Sequence, residues 1–131
     1  MKTLANCSPV DFLRQTNRIR KRVAAWLDLT KIMEIRKTMP EIDDKMSPEE
    51  LKAAKRKQAR ENLDKILDSA MELHPEETAE ILGLVCFVEP QDLNSYKMID
   101  FLPAISEILN SQEVVDFFMS LMSWERTDTS T

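Results

Sequence analysis

A chain of 131 residues with one glycine, Gly83, has almost no position where the backbone can reverse sharply without steric cost. Phosphate loops, hairpin turns and close backbone approaches to a cofactor normally use several glycines, so Gly-rich nucleotide sites are excluded. Proline supplies the punctuation instead. Five of the six prolines fall where helical periodicity breaks, and Pro103 fits a first turn if its helix begins near Asp100. Ser8-Pro9-Val10-Asp11 combines an N-cap, a proline at the first helical position and an acid in the first turn. Ser47-Pro48-Glu49-Glu50 repeats the signal with a capping-box glutamate, and Pro75-Glu76-Glu77 opens a further helix.

These signals predict helices from Pro9 to about Leu27, Pro48 to Leu73, Pro75 to about Val88, near Asp100 to Asn110, and Gln112 to about Trp124 with Ser111 as N-cap. A short helix from Thr30 to Met39 fits between the first two. Strand-like alternation is scarce. The predicted fold is all-α, a single compact domain of five or six helices over residues 1–131, with 43% apolar residues to build its core. Residues 41–60, a charged linker and the first half of the long helix, have little to bury and are expected to project or be mobile. The polar ending 126–131 is expected to be disordered.

On the first helix Phe12, Ile19, Val23 and Trp26 form one apolar stripe, and Arg14, Arg18, Lys21 and Arg22 occupy nearly the opposite face. That basic row is either a solvated face or a docking surface for something acidic. The C-terminal half is crowded with apolar side chains: 16 of the 27 positions from Met98 to Trp124 are apolar, more than one small core needs. In the last helix Glu113, Asp116, Ser120 and Ser123 form a narrow polar line. Val114, Val115, Phe117, Phe118, Leu121 and Met122 cover the remaining circumference. Such a helix must be nearly enclosed, either as a central core helix or by a partner. Phe101, Leu102 and Ile105 offer a neighbouring wall. Ile81 to Val88 poses the same choice, with Gly83 allowing another helix to come close.

Charge is shared unevenly, with net +6 over residues 1–40, −2 over 41–74 and −9 over 75–131, giving −5 for the chain. Opposite ends can dock internally or pair head to tail between subunits, so homo-oligomers are one expectation.

Catalytic and metal-binding patterns are missing. The lone histidine, His74, is explained by the helix boundary beside it, and no further ligands stand at metal-site spacing. Asp43-Asp44 and Glu76-Glu77 are sequence neighbours, about 100° apart on a helix, and suit surface charge better than acid/base work. Cys7 and Cys86 form no disulfide framework and suit a reducing, intracellular compartment, with Cys86 a small core residue. No apolar h-region precedes Cys7, which rejects a lipoprotein signal, and no apolar run approaches the roughly 18 residues of a spanning helix. The expectation is a non-enzymatic protein without cofactor or membrane span. Arg18-Ile19-Arg20-Lys21-Arg22 and Lys52 to Arg60 are basic clusters, but in an acidic chain they point only weakly to nucleic acid.

Leu4-Ala5-Asn6-Cys7-Ser8-Pro9, the run Asp11 to Lys21, Trp26 to Lys37, His74 to Leu82, Cys86-Phe87-Val88-Glu89-Pro90 and Glu113 to Phe118 together resemble tail assembly chaperones of siphophages and prophages of Gram-positive bacteria. The likeness covers most of the chain and lies in packing and boundary patterns. It implies a helical protein of the host cytoplasm, absent from the mature virion, that keeps the apolar tape measure protein soluble until tail tube subunits polymerise around it. Families of this kind are often made in a short form and a frameshifted longer one. On that reading Phe101, Leu102, Ile105, Phe117, Phe118, Leu121 and Met122 are the candidate client-binding residues, and Arg14, Arg18, Lys21 and Arg22 the candidate basic docking face. The competing expectations are a regulatory or nucleic-acid-binding module using the first helix, and a structural tail component.

Overall fold

A computed structural model describes the backbone of residues 1–129 and the side chains of these residues except Met122 and 124–129. It is all-helical, with no strand among the described residues. The helices are α1 (Pro9–Thr30), α2 (Ile32–Arg36), α3 (Pro48–Leu67), α4 (Pro75–Val85), α5 (Met98–Asn110) and α6 (Gln112–Thr129). A π-helical turn, Asp68–Leu73, continues α3, and a 3-10 segment spans Pro90–Ser95. Of the polar ending expected to be disordered, residues 126–129 continue α6, and 130–131 lie outside the described residues. The chain, expected as one domain, divides into two compact units: Met1–Ala24 with Ala79–Thr131, and Ala25–Thr78.

The caps explain where helices begin. Ser8 Oγ accepts from the Asp11 amide at 3.2 Å, and Ser47 Oγ from the Glu50 amide at 3.1 Å. α5 starts at Met98, earlier than expected, because the Asp100 carboxylate accepts from the Lys97 amide at 2.9 Å and so occupies the third helical position. Pro103 consequently lies inside the helix, where it leaves the Ile99 carbonyl without its usual donor.

α4 was expected to reach Val88 and stops at Val85. Phe87 takes a left-handed conformation, φ 57°, while the Val88 amide donates to Gly83 O at 2.9 Å and the Phe87 amide to Leu84 O at 3.1 Å. These two bonds form a Schellman reversal, with phenylalanine where glycine is usual. The segment that then approaches Gly83 is the chain's own return: a Cβ there would stand 2.9 Å from Leu93 Cδ1 and 3.2 Å from Val88 O.

In the 25–78 unit the π turn has a local cause. The His74 amide donates five residues back, to Ser69 O at 3.0 Å, and residue 75 is a proline with no N–H. The Ala70 carbonyl is thereby left without a backbone donor, and the Thr78 hydroxyl supplies one at 2.6 Å. The same oxygen accepts from Trp26 Nε1 at 2.8 Å, tying the end of α1 to the start of α4. Ser69 Oγ donates to Thr30 O at 2.7 Å, satisfying a C-terminal carbonyl of α1. α2 packs on α3, where buried Asn62 donates to Thr38 O at 3.0 Å and accepts from Gln58 at 2.9 Å.

Two outcomes are expected from denaturant melts. Thr78→Val should lower stability by about 1–3 kcal/mol, because a shape-matched side chain leaves the Ala70 carbonyl and the Trp26 N–H unpaired, whereas Thr78→Ser should recover most of the loss. Gly83→Ala should be nearly neutral, since a helix-propensity gain of about 1 kcal/mol opposes the squeeze. Gly83→Val should cost about 1–3 kcal/mol, and wild-type stability in that variant would show that the return past Gly83 is not tight.

Candidate apolar binding site

The core of the unit formed by residues 1–24 and 79–131 consists of two groups of buried side chains. One holds Cys86, Val88, Phe101 and Ala104, with Val85, Leu93 and Ile105 against it. The other holds Leu4, Ile19 and Leu84, flanked by Phe12, Val23, Val85, Phe87, Val114 and Phe118. Polar contacts fix its edges. The Leu4 amide donates to Val85 O at 3.3 Å, and Gln15, itself buried, donates to Leu84 O at 2.6 Å. Thr3 is fully buried, with its amide bonded to Asn6 Oδ1 at 2.8 Å and its hydroxyl accepting from the Ala5 amide at 3.1 Å.

This packing leaves an open cavity of about 200 Å³ between the amino-terminal segment, α1, α4, α5 and α6. Its walls are wholly apolar, with Leu4, Ile19, Val23 and Val85 on one side and Val114 and Phe118 on the other. An open apolar lining of this kind offers water no polar partner and favours apolar groups. At its rim Met119 is 58% exposed. Nearby on α6, Phe117 is 41% exposed although its ring lies 5.5 Å from that of Phe12.

The candidate client-binding residues therefore divide. Phe101 is buried core, 5% exposed, and Ile105 packs half-buried beside it; both hold α5 in place and neither offers free surface. Leu102 is exposed. Phe118 and Leu121 are half-buried, and Phe118 is shared between core and cavity. Met122 lies outside the described side chains. A central core helix is not what the described part of α6 forms, for none of its described side chains is fully buried, and one face meets α1 and the core. Ile81 to Val88 resolves the other way, with Gly83, Leu84, Cys86 and Val88 buried.

The basic row on α1 is also divided. Arg18 pairs with both carboxylate oxygens of Glu89, at 2.8 and 2.5 Å, and Arg22 with Glu80 at 3.2 Å. Arg14 and Lys21 are exposed. Lys2 pairs with Asp11 at 2.6 Å and lies 4.6 Å from the centroid of the Phe87 ring. Half of the row is thus engaged in holding α1 to the α4 end of the unit.

Burial pushes the Cys86 thiol above its ordinary range, which keeps it protonated and unreactive. Cys7 and Cys86 are both unpaired thiols. His74 Nδ1 is 3.9 Å from a Glu77 carboxylate oxygen, one turn along α4. Among the described residues no group of three or more His, Cys, Asp or Glu is placed to hold a metal, and no helix is long and apolar enough to cross a membrane. No protein-family model matches the chain, nor does any curated protein or solved structure.

The pairing of Arg18 with Glu89 sets a pH dependence. Its hydrogen bond holds the Glu89 carboxyl below the ordinary value of 4.5, and Lys2 likewise lowers Asp11, first through its hydrogen bond. A depressed carboxylate contributes stability that is fully present above its unfolded value and is lost as pH falls through the folded one. Thermal melts should therefore show stability declining below about pH 4.5, and Glu89→Gln should flatten that limb. The change at neutral pH should stay below about 1 kcal/mol, because both partners are substantially exposed. An acid limb unchanged in the variant would show that the pair does not couple α1 to the α4 end.

Proposed function

We propose that the protein is a non-enzymatic assembly chaperone that holds apolar helical segments of a client, the tape measure protein of a phage tail, in the host cytoplasm before the tail tube polymerises. The observation that carries this reading is α6: a helix apolar over most of its circumference, with no described side chain fully buried, set beside a wholly apolar cavity. A client helix laid along α6 at the cavity would place one or two side chains in it and cover Met119, while exposed Phe117, nearly opposite on α6, offers a second apolar contact. Each large apolar side chain removed from water contributes about 1.5–3 kcal/mol before the cost of ordering is met. Methionine and phenylalanine at the rim suit a client of varied sequence, because flexible thioethers repack around different shapes. The choice of client rests on the resemblance of the sequence to tail assembly chaperones.

Co-expression with a tape measure protein encoded by the same phage or prophage should raise the soluble fraction of that client and yield a complex that co-purifies. Phe117→Asp and Met119→Asp should abolish co-purification while moving the melting temperature by only a few degrees, since both side chains are already exposed. Phe101→Asp, in contrast, should unfold the protein. A client no more soluble with the protein than without it, and no complex, would reject the reading.

A further inference from the structure

We propose that the outer face of α3 docks onto the outer faces of α5 and α6 of a second copy of the chain, in a head-to-tail contact. From Leu51 to Arg60 the sequence holds Lys52, Lys55, Arg56, Lys57 and Arg60 and no acidic residue. All five are exposed, and none is ion-paired among the described residues, in contrast to Arg18 and Arg22 of α1. Lys52, Arg56 and Arg60 recur one turn apart, and the row continues into exposed Leu63 and Leu67. This face joins one sign of charge to leucine.

The matching surface has the opposite sign. From Met98 to Ser123 there is no lysine or arginine, and Asp100, Glu107, Glu113 and Asp116 are all exposed. Beside them on α5 stand Met98, Ile99, Leu102 and Leu109, each at least 52% exposed. Met98, Leu102 and Leu109 share one shoulder of α5 and form an exposed apolar row open to a partner helix. Asp100 and Glu107 lie on the other shoulder, so a helix crossing α5 meets leucines on one side and carboxylates on the other. Two α5–α6 faces brought together would oppose like charges, whereas α3 against α5–α6 opposes unlike ones. Both faces are solvent-exposed in the single chain, and the contact is heterologous, so copies can add one after another or close into a ring. The contact on α5 lies about a quarter turn from Ile108, which lines the cavity, so this inference does not depend on the proposed client.

Sedimentation of the full chain tests it. The average mass should rise with protein concentration at about 50 mM salt, and association should weaken by roughly tenfold or more at about 500 mM, as screening between exposed charges requires. Lys52→Glu/Arg56→Glu/Arg60→Glu and Glu107→Lys/Glu113→Lys/Asp116→Lys should each remain monomeric with unchanged helical circular dichroism. Mixed one to one, they should associate, because each then offers the other a face of opposite sign. A wild-type protein that is monomeric at every salt and concentration overturns the proposal without reference to the variants, also if its α3 row instead shifts a DNA duplex. Association of the α3 variant with itself overturns it too, since the contact would then be α5–α6 with α5–α6.

Discussion

The reversal at the end of α4 organises the unit that carries the candidate site. Once Phe87 turns left-handed, the Val88 amide closes back onto Gly83 O and the carbonyls of Leu84 and Val85 are left at an open helix end. Gln15 and Leu4 donate to those carbonyls, which brings α1 and the amino-terminal segment to the same place. The return also sets Leu93 against Gly83 and Glu89 within reach of Arg18. A left-handed residue that is not glycine costs about 1–2 kcal/mol. Here a glycine would forfeit the Phe87 ring, which packs on the core and carries the Lys2 ammonium over its face. The strain and the packing therefore belong to one arrangement, with the sole glycine four residues before the left-handed Phe87 of the turn it makes room for.

Much of this was legible in local sequence and some was not, and the division follows the range of the interactions. Ser8-Pro9 and Ser47-Pro48 mark helix starts because a cap bonds only two or three residues ahead, and both serines accept the amides the pattern anticipates. The end of α4 was missed because glycine normally marks such a reversal, and here the left-handed residue is a phenylalanine inside an apolar run. The π turn was missed because Pro75 reads first as a helix start; its second effect, depriving Ala70 of a donor, appears only with Thr78 in place. The buried Thr3-Leu4 turn carried a fainter sign, since Thr and Asn side chains near a terminus often bond local backbone.

At the candidate site the sequence located the excess of apolar surface on α5 and α6 without assigning it. Period alone identifies which side chains share a face, but not whether the remaining chain suffices to cover that face. Phe101 and Leu102 are adjacent in sequence, about 100° apart, and end at 5% and 52% exposure. The described part of α6 shows the same limit: its polar line is evident in the sequence, whereas the exposure of Phe117 and Met119 depends on what the fold places against them.

Charge was redistributed by folding in the same sense. The early basic row of α1 looked like the available cationic surface, yet Arg18 and Arg22 are committed to Glu89 and Glu80, on the segment that follows the α4 reversal and on α4 itself. Those pairs convert net opposite charges in distant parts of the sequence into an internal attachment. Arg14 and Lys21 stay exposed on α1, and the densest exposed cations are those of the first half of α3, a segment with little to bury. A helix segment with little to bury in its own unit keeps its outer face for other molecules, and its positive sign suits it to the acidic stretch from Met98 to Ser123, which has no lysine or arginine. The two surplus surfaces, one cationic and one acidic and apolar, thus arise alike from side chains that the described contacts leave exposed: five cations in a row of ten residues without an acid on α3, and the apolar and acidic shoulders of α5.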